Sequence, residues 1–358
     1  MAFIKDAFSY NWKHGNKILY LATLISISLI AFYNLSLGYT MSSDSESYSK
    51  WADILIELDF NFYKYYSQNT FINPNYIYTI PVLLIAILKL LFGSNWQYFF
   101  MLLNITLVFF SLIIFLKSLL ILKVRPLVIS LAMPILTLSI DLLTWPRYIL
   151  TDVIFSFFVI LTVYLIIKSI VDSKLNYFCL LLMIILIYFT RPTSLPFIVA
   201  IISFILISKV KIDYSPKLKL LFGGILFIIS PFVLATIFQL MNIYFNDNAQ
   251  VIFLIEMVEM GMIVHDRPET WVEAPKTFFD LAYLYFLRFI YFFNPYAESF
   301  SIIHVALNSI QTFILFFSIF VFLFFKENFY LMSKSIKLIL LICFFVAYFH
   351  SFTLIDFD

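Results

Sequence analysis

The strongest constraint on this chain is its succession of apolar runs that carry almost no charge on any side. Residues 97–118 and 218–241 show it best, and further runs cover 18–38, 76–92, 127–143, 153–167, 177–189, 195–208, 278–293, 301–325 and 336–350. A membrane-spanning helix needs about 20 apolar residues. Helices satisfy their own backbone groups in lipid, whereas barrel strands alternate with period two. These runs are apolar all round, so the expected fold class is all-α, a polytopic transmembrane helix bundle. Composition agrees: 63% of the 358 residues are hydrophobic and 12% are charged, against about 25% charged in soluble domains. Mean hydropathy is +0.98.

Basic residues orient the bundle, because cytoplasmic loops are enriched in Lys and Arg. Five clusters stand out: Lys5/Lys13/Lys17, Lys117/Lys123/Arg125, Lys168/Lys174, Lys209/Lys211/Lys217/Lys219 and Lys326/Lys334/Lys337. All five are cytoplasmic only if 76–92 and 278–293 do not cross. About nine spans then remain, with the N-terminus inside. This arrangement puts 15 of the 23 Lys/Arg and 4 of the 21 Asp/Glu inside. Most of the acidic chemistry therefore faces outward. The run after Lys17 is too long for a cleavable signal and lacks a small-x-small site, so it is expected to stay as an anchor.

The chain reads as one domain, 1–358, with long outer loops at 39–96 and 242–300. In the first of these, Trp51, Ile54, Leu55, Leu58, Phe62 and Tyr65 recur at 3–4 spacing, with Asp53, Glu57, Asn61 and Lys64 opposite. Residues 51–66 therefore predict a helix lying flat on the membrane. The segment 76–92 is a second candidate for an interfacial helix.

A net charge of +2 gives no reason to expect nucleic acid. Cys179 and Cys343 fall within apolar runs and read as packing residues. The four histidines have no metal-ligand spacing.

Few polar residues demand a reason. Ser42-Ser43-Asp44-Ser45-Glu46-Ser47-Tyr48 places two carboxylates just past the first span; a charged surface loop is the plain alternative. Arg147 and Asp152 lie in a short segment on the same outer face, and Arg191 sits in Thr190-Arg191-Pro192-Thr193. The helix before Arg191 is only about 20 Å long at 1.5 Å per residue. That is shorter than the hydrocarbon core of about 30 Å, so Arg191 needs a wet recess or a partner such as Asp152 or Asp141.

These residues suit sugar transfer from a polyprenyl phosphate. The leaving group is already a stabilised anion and needs cations, for which arginine's planar donors are adapted. The acceptor hydroxyl needs a carboxylate base. Asp44, in a polar loop, is the base candidate, with Arg147 or Arg191 stabilising the departing phosphate.

On these motifs the chain resembles the GT-C superfamily of integral-membrane glycosyltransferases, which includes protein O-mannosyltransferases and aminoarabinose transferases. The likeness rests on Asp44 in Asp-Ser-Glu-Ser-Tyr, Arg147 to Asp152 in Arg-x-x-x-Thr-Asp, and Thr190 to Thr193. It spans residues 18 to about 210. The resemblance implies that Asp44 is the catalytic base and that Asp152 lies near the reacting sugar or a metal. It places Glu46 and Tyr48 in the substrate-contacting motif. A Mg²⁺ or Mn²⁺ ion, if used, would fall to Asp44 and Asp152.

The implied partners are a polyprenyl-phosphate sugar, a hydroxyl acceptor on lipid, glycan or protein, and the bilayer. The implied setting is the plasma membrane, and the Phe/Ile/Lys-rich composition points to a bacterium. A surface-polysaccharide polymerase or ligase and a lipid-linked sugar flippase are the alternatives. Two departures are visible. Asn73-Pro74-Asn75 replaces a basic element, and the chain stops at Asp358 where many relatives continue. A natural short form, a truncated gene and an inactive protein all fit that ending.

Overall fold

The computed structural model describes residues 17–67, 76–122, 124, 126–137, 140–172, 177–191, 194–209, 216–244, 249–264, 267–298, 300–324 and 334–353. Among them every regular element is helical. The one β-type contact is an isolated parallel bridge between Thr40 and Tyr148. Asn73–Asn75, Pro192, Thr193, His265 and Asp266 lie outside the described residues, as does the side chain of Asp141.

Two compact units share the chain: Met1–Ile198 with Ser333–Ser335, and Val199–Met332 with Ile336–Asp358. The first unit opens with α1 (Lys17–Leu37), α2 (Ser43–Glu57) and α3 (Phe62–Ser67). It continues through α4 (Thr79–Phe92), α5 (Trp96–Ile121), α6 (Pro126–Thr137), α7 (Ile140–Thr144), α8 (Asp152–Val171) and α9 (Tyr177–Tyr188). α10 (Ser194–Lys209) carries the boundary. The second unit holds α11 (Pro216–Tyr244), α12 (Ala249–Glu259), α13 (Phe278–Tyr291), α14 (Ile302–Phe324) and α15 (Lys334–Thr353).

Two helical stretches are long and apolar enough to cross a membrane, Thr79–Ile121 and Asp152–Val171. The first is divided at Gly93–Asn95 into α4 and α5. α5 alone, with 26 residues, is about 39 Å long at 1.5 Å per residue. α5 and α8 pack along each other. Of the expected run 127–143, the described residues give α6 up to Thr137 and α7 from Ile140; residues 138 and 139 lie outside them.

α1 shows how sequence sets packing here. Ala22, Thr23, Ser26, Ile30 and Asn34 share its buried face, whereas Leu21, Leu24, Leu29, Phe32 and Leu35 are exposed. Small side chains let α6 approach closely, and Thr137 Oγ1 reaches Ser26 Oγ at 3.5 Å. Asn34 Nδ2 donates to the Ile30 and Leu143 carbonyls at 2.7 and 2.8 Å. The polar groups are inside and the large apolar ones outside, the reverse of a water-soluble helix.

The helix expected at 51–66 begins earlier and stops sooner. α2 starts at Ser43, so Asp44 stands in the first turn of a helix and not in a loop. The cause is a capping box: Ser42 Oγ accepts from Ser45 N, and Ser45 Oγ accepts from Ser42 N. Such reciprocal bonds satisfy amides that the helix itself leaves open. Positive φ at Asp59 and Phe60 (50° and 58°) turns the chain into α3. The predicted faces hold. Leu55 and Tyr65 are buried, with Trp51, Ile54, Leu58 and Phe62 partly so, and Asp53, Glu57, Asn61 and Lys64 are exposed. α2 packs on α4, its buried face meeting Val82, Ile85 and Ala86.

Candidate functional site

Three hydrogen-bonded junctions in the first unit assemble the polar centre. At the first, Thr40 N donates to the Arg147 carbonyl at 2.8 Å and Ile149 N donates to the Thr40 carbonyl at 3.2 Å. This rung holds the entry to α2 against the short helical turn Trp145–Arg147. At the second, Asn104, buried on α5, donates to the Pro146 and Tyr148 carbonyls at 3.3 and 3.0 Å. At the third, Ile80 N donates to the Phe189 carbonyl at 3.0 Å, bringing the start of α4 to the Thr190-Arg191 turn.

On this frame Arg191 forms an ion pair with Asp152, through Nη1 and Oδ1. The Asp152 side chain is 10% exposed and that of Arg191 27%. Asp152 opens α8, where a carboxylate also meets the positive end of the helix dipole. Of the two partners expected for Arg191, Asp152 is the one seen among the described residues.

Aromatic residues line the other side of Arg191. The Tyr48 ring lies 5.1 Å from Tyr78 and 5.7 Å from Trp51, and Trp51 lies 5.8 Å from Tyr78. Tyr48 is also hydrogen-bonded to Tyr78. Burial, then the charges on Tyr78 and Asp44, push the Tyr48 phenol far above its usual value, while Arg191 acts in the opposite sense. Burial likewise raises Tyr78. Burial lowers Arg191, opposed by Tyr48, Tyr78 and Asp44. Asp44 is exposed, one turn before Tyr48, and its charge reaches all three of these groups.

Asp44, Tyr48, Asp152 and Arg191 are thus brought together. Arg147 is held differently: its Nε and Nη2 both donate to Thr40 Oγ1, at 2.9 and 2.6 Å, and its guanidinium lies 5.6 Å from the Tyr148 ring centre. Among the described residues it has no ion pair. Glu46 is exposed in the first turn of α2, and no side-chain bond of it is seen among the described residues. Sequence reasoning missed Thr40, Trp51 as a ring partner, and Tyr78. The Tyr76-Ile77-Tyr78 triplet before Pro81 was the available signal for the last.

Among the described residues no group of three or more His, Cys, Asp or Glu side chains is placed to hold a metal. The Asp44 and Asp152 pair does not suit a divalent cation, because a guanidinium already occupies Asp152 and repels a second positive charge. Chemically, the centre offers an exposed carboxylate, a neutral phenol pair, a neutralised arginine and an arginine that donates to a hydroxyl. No protein-family profile, curated protein or solved structure matches this chain.

Proposed function

We propose that this chain is a membrane glycosyltransferase of the GT-C type. It would move a sugar from a polyprenyl-phosphate donor to a hydroxyl acceptor at the extracytoplasmic face. The observation that carries this reading is that the charge of Asp44 reaches Tyr48, Tyr78 and Arg191, the last of which is paired with Asp152. The exposed leucine and phenylalanine rows on α1, α9 and α14, together with the two long apolar stretches, support lipid as the solvent. On this reading about nine segments cross the bacterial plasma membrane, the N-terminus is cytoplasmic, and α2 and α4 lie in the outer interface.

The reaction is a single inverting displacement. The acceptor oxygen attacks the anomeric carbon as the bond from that carbon to the phosphate oxygen breaks. The acceptor proton passes to Asp44 and the polyprenyl phosphate leaves as an anion. Asp44 suits the base because it is exposed where an acceptor can reach it. Arg147 suits the phosphate: Thr40 is a neutral partner, so its positive charge is still available. Arg191, neutralised by Asp152, would hold Tyr48 and Tyr78 in place. No step runs through a metal ion.

The test is transfer of labelled hexoses and pentoses from polyprenyl-phosphate donors by the purified protein. Asp44→Asn should lower the rate by at least ~100-fold, the usual contribution of a general base. An equally active variant removes Asp44 from the mechanism. Sugar movement across liposomes without transfer identifies a flippase, and elongation of a lipid-linked glycan identifies a polymerase.

A further inference from the structure

The second unit contains a buried cation that nothing so far explains. Arg288, on α13, is 1% exposed and is among the largest fully buried side chains. Its Nε donates to the Met262 carbonyl at 2.8 Å, and Nη1 reaches the Ser351 carbonyl at 3.5 Å. Nη2 is buried and has no hydrogen-bond partner among the described residues. One turn earlier on the same helix, the Tyr285 hydroxyl is likewise buried and unpaired. The Arg288 guanidinium lies 5.3 Å from the Tyr285 ring centre. The surrounding packing is apolar, including Leu234, Phe238, Val264, Leu281 and Phe352.

Two carbonyls orient a guanidinium but do not neutralise it. Burial lowers Arg288 to about 10, with Tyr285 opposing, so it stays charged at neutral pH. A buried charge with no counterion among the described residues is strongly disfavoured, and an unpaired buried donor adds to the penalty. An arginine with an open donor edge beside a second open hydroxyl is matched by an anion bearing several acceptor oxygens. The exposed side of α13 carries Phe279, Tyr283 and Ile290. On the membrane reading above this is an interfacial helix, at the depth where phosphate esters are concentrated.

We propose that Arg288 and Tyr285 form a phosphate-binding site, built entirely from second-unit residues, for a phospholipid headgroup or free inorganic phosphate. Nη2 and the Tyr285 hydroxyl are both covered. Entry therefore requires the covering side chains to part, and binding is slow.

The experiment uses the full chain in nanodiscs of the phosphate-free lipid digalactosyldiacylglycerol alone or with phosphatidylglycerol, and titrates inorganic phosphate against chloride at matched ionic strength. The readout is the midpoint of thermal unfolding. A rise with phosphate in the phosphate-free lipid alone identifies the free anion as ligand. A rise that appears only with phosphatidylglycerol identifies the headgroup. Either rise should be lost in Arg288→Met. In Tyr285→Phe, which removes one oxygen and keeps the ring, the apparent affinity should fall about 10-fold or more, as for one hydrogen bond to a charged group. Should Arg288→Met fail to fold, Tyr285→Phe decides. Absence of any rise, or a rise of the same size and affinity in the variants, overturns the proposal.

Discussion

Two ion pairs of the first unit provide a sharp energetic contrast. Removing one partner of a buried pair costs about 3–5 kcal/mol, because the other charge is left without compensation. With Arg191 at 27% and Asp152 at 10% side-chain exposure, the lower end, about 3 kcal/mol, is expected for Asp152→Asn or Arg191→Met alone. Removing both leaves no orphaned charge. The double variant should therefore lose little more than either single one, giving a coupling of about 2–3 kcal/mol, the upper part of the range for contacting residues. Lys89 and Asp53 also meet, at 2.7 Å, but the Asp53 side chain is 56% exposed. Solvent screens that pair, and its coupling should fall within about 0.2–1 kcal/mol. Lys89 also donates to the Ser49 carbonyl and hydroxyl. Lys89→Met alone therefore costs more than the pair does, and only the cycle isolates the pair. The assay is reversible unfolding of both sets of four proteins in mixed micelles, followed by helical circular dichroism. A coupling at Asp152–Arg191 below about 0.5 kcal/mol, or no larger than that at Asp53–Lys89, would refute the assignment of Arg191 as a neutralised, positioning arginine.

Three further outcomes are expected. Ser42→Ala removes the acceptor that starts α2 and should destabilise the unit by about 1 kcal/mol. It should also lower any transfer rate through displacement of Asp44, measured by unfolding and activity together. Gly261 has φ of +68°, and a Cβ there would lie 2.0 Å from the Val272 carbonyl oxygen. Gly261→Ala should cost more than about 1 kcal/mol and open the 261–272 turn to limited proteolysis. The raised Tyr48 value favours the neutral phenol in the folded state. Its contribution to stability is thus complete below the unfolded value of about 10 and is lost as pH rises toward the folded one. Ultraviolet titration of the wild type against Tyr48→Phe should show no difference in folded tyrosinate up to about pH 11. A difference appearing near pH 10 would contradict the burial of that hydroxyl.

Much of the helical content was legible because lipid-length apolar runs leave few alternatives. The run 97–118 becomes Trp96–Ile121, and 153–167 becomes Asp152–Val171. The amphipathic face around Leu55 and Tyr65 was legible too. The start of its helix was not: the cap pairs Ser42 with Ser45, where a Glu or Gln would have been the visible signal. Within the site, Asp152 was weighed as a partner for Arg191 because both carry charge and share a side of the bundle. Tyr78 had no comparable mark. It is 30 positions from Tyr48 in the numbering, and its placement depends on the backbone bond from Ile80 to Phe189, which no side-chain pattern encodes. Arg288 was passed over within an apolar run, where only the folded surroundings reveal that its charge is enclosed.

The rung between Thr40 and the Arg147–Ile149 segment is made by peptide groups, so its geometry is indifferent to which side chains the two strands of backbone display. Replacing the hydroxyl or the guanidinium there changes the reactivity of the spot while leaving the crossing itself intact. Such a joint lets a scaffold exchange one chemistry for another without redesigning its frame, and it makes these two positions clean sites for deliberate substitution.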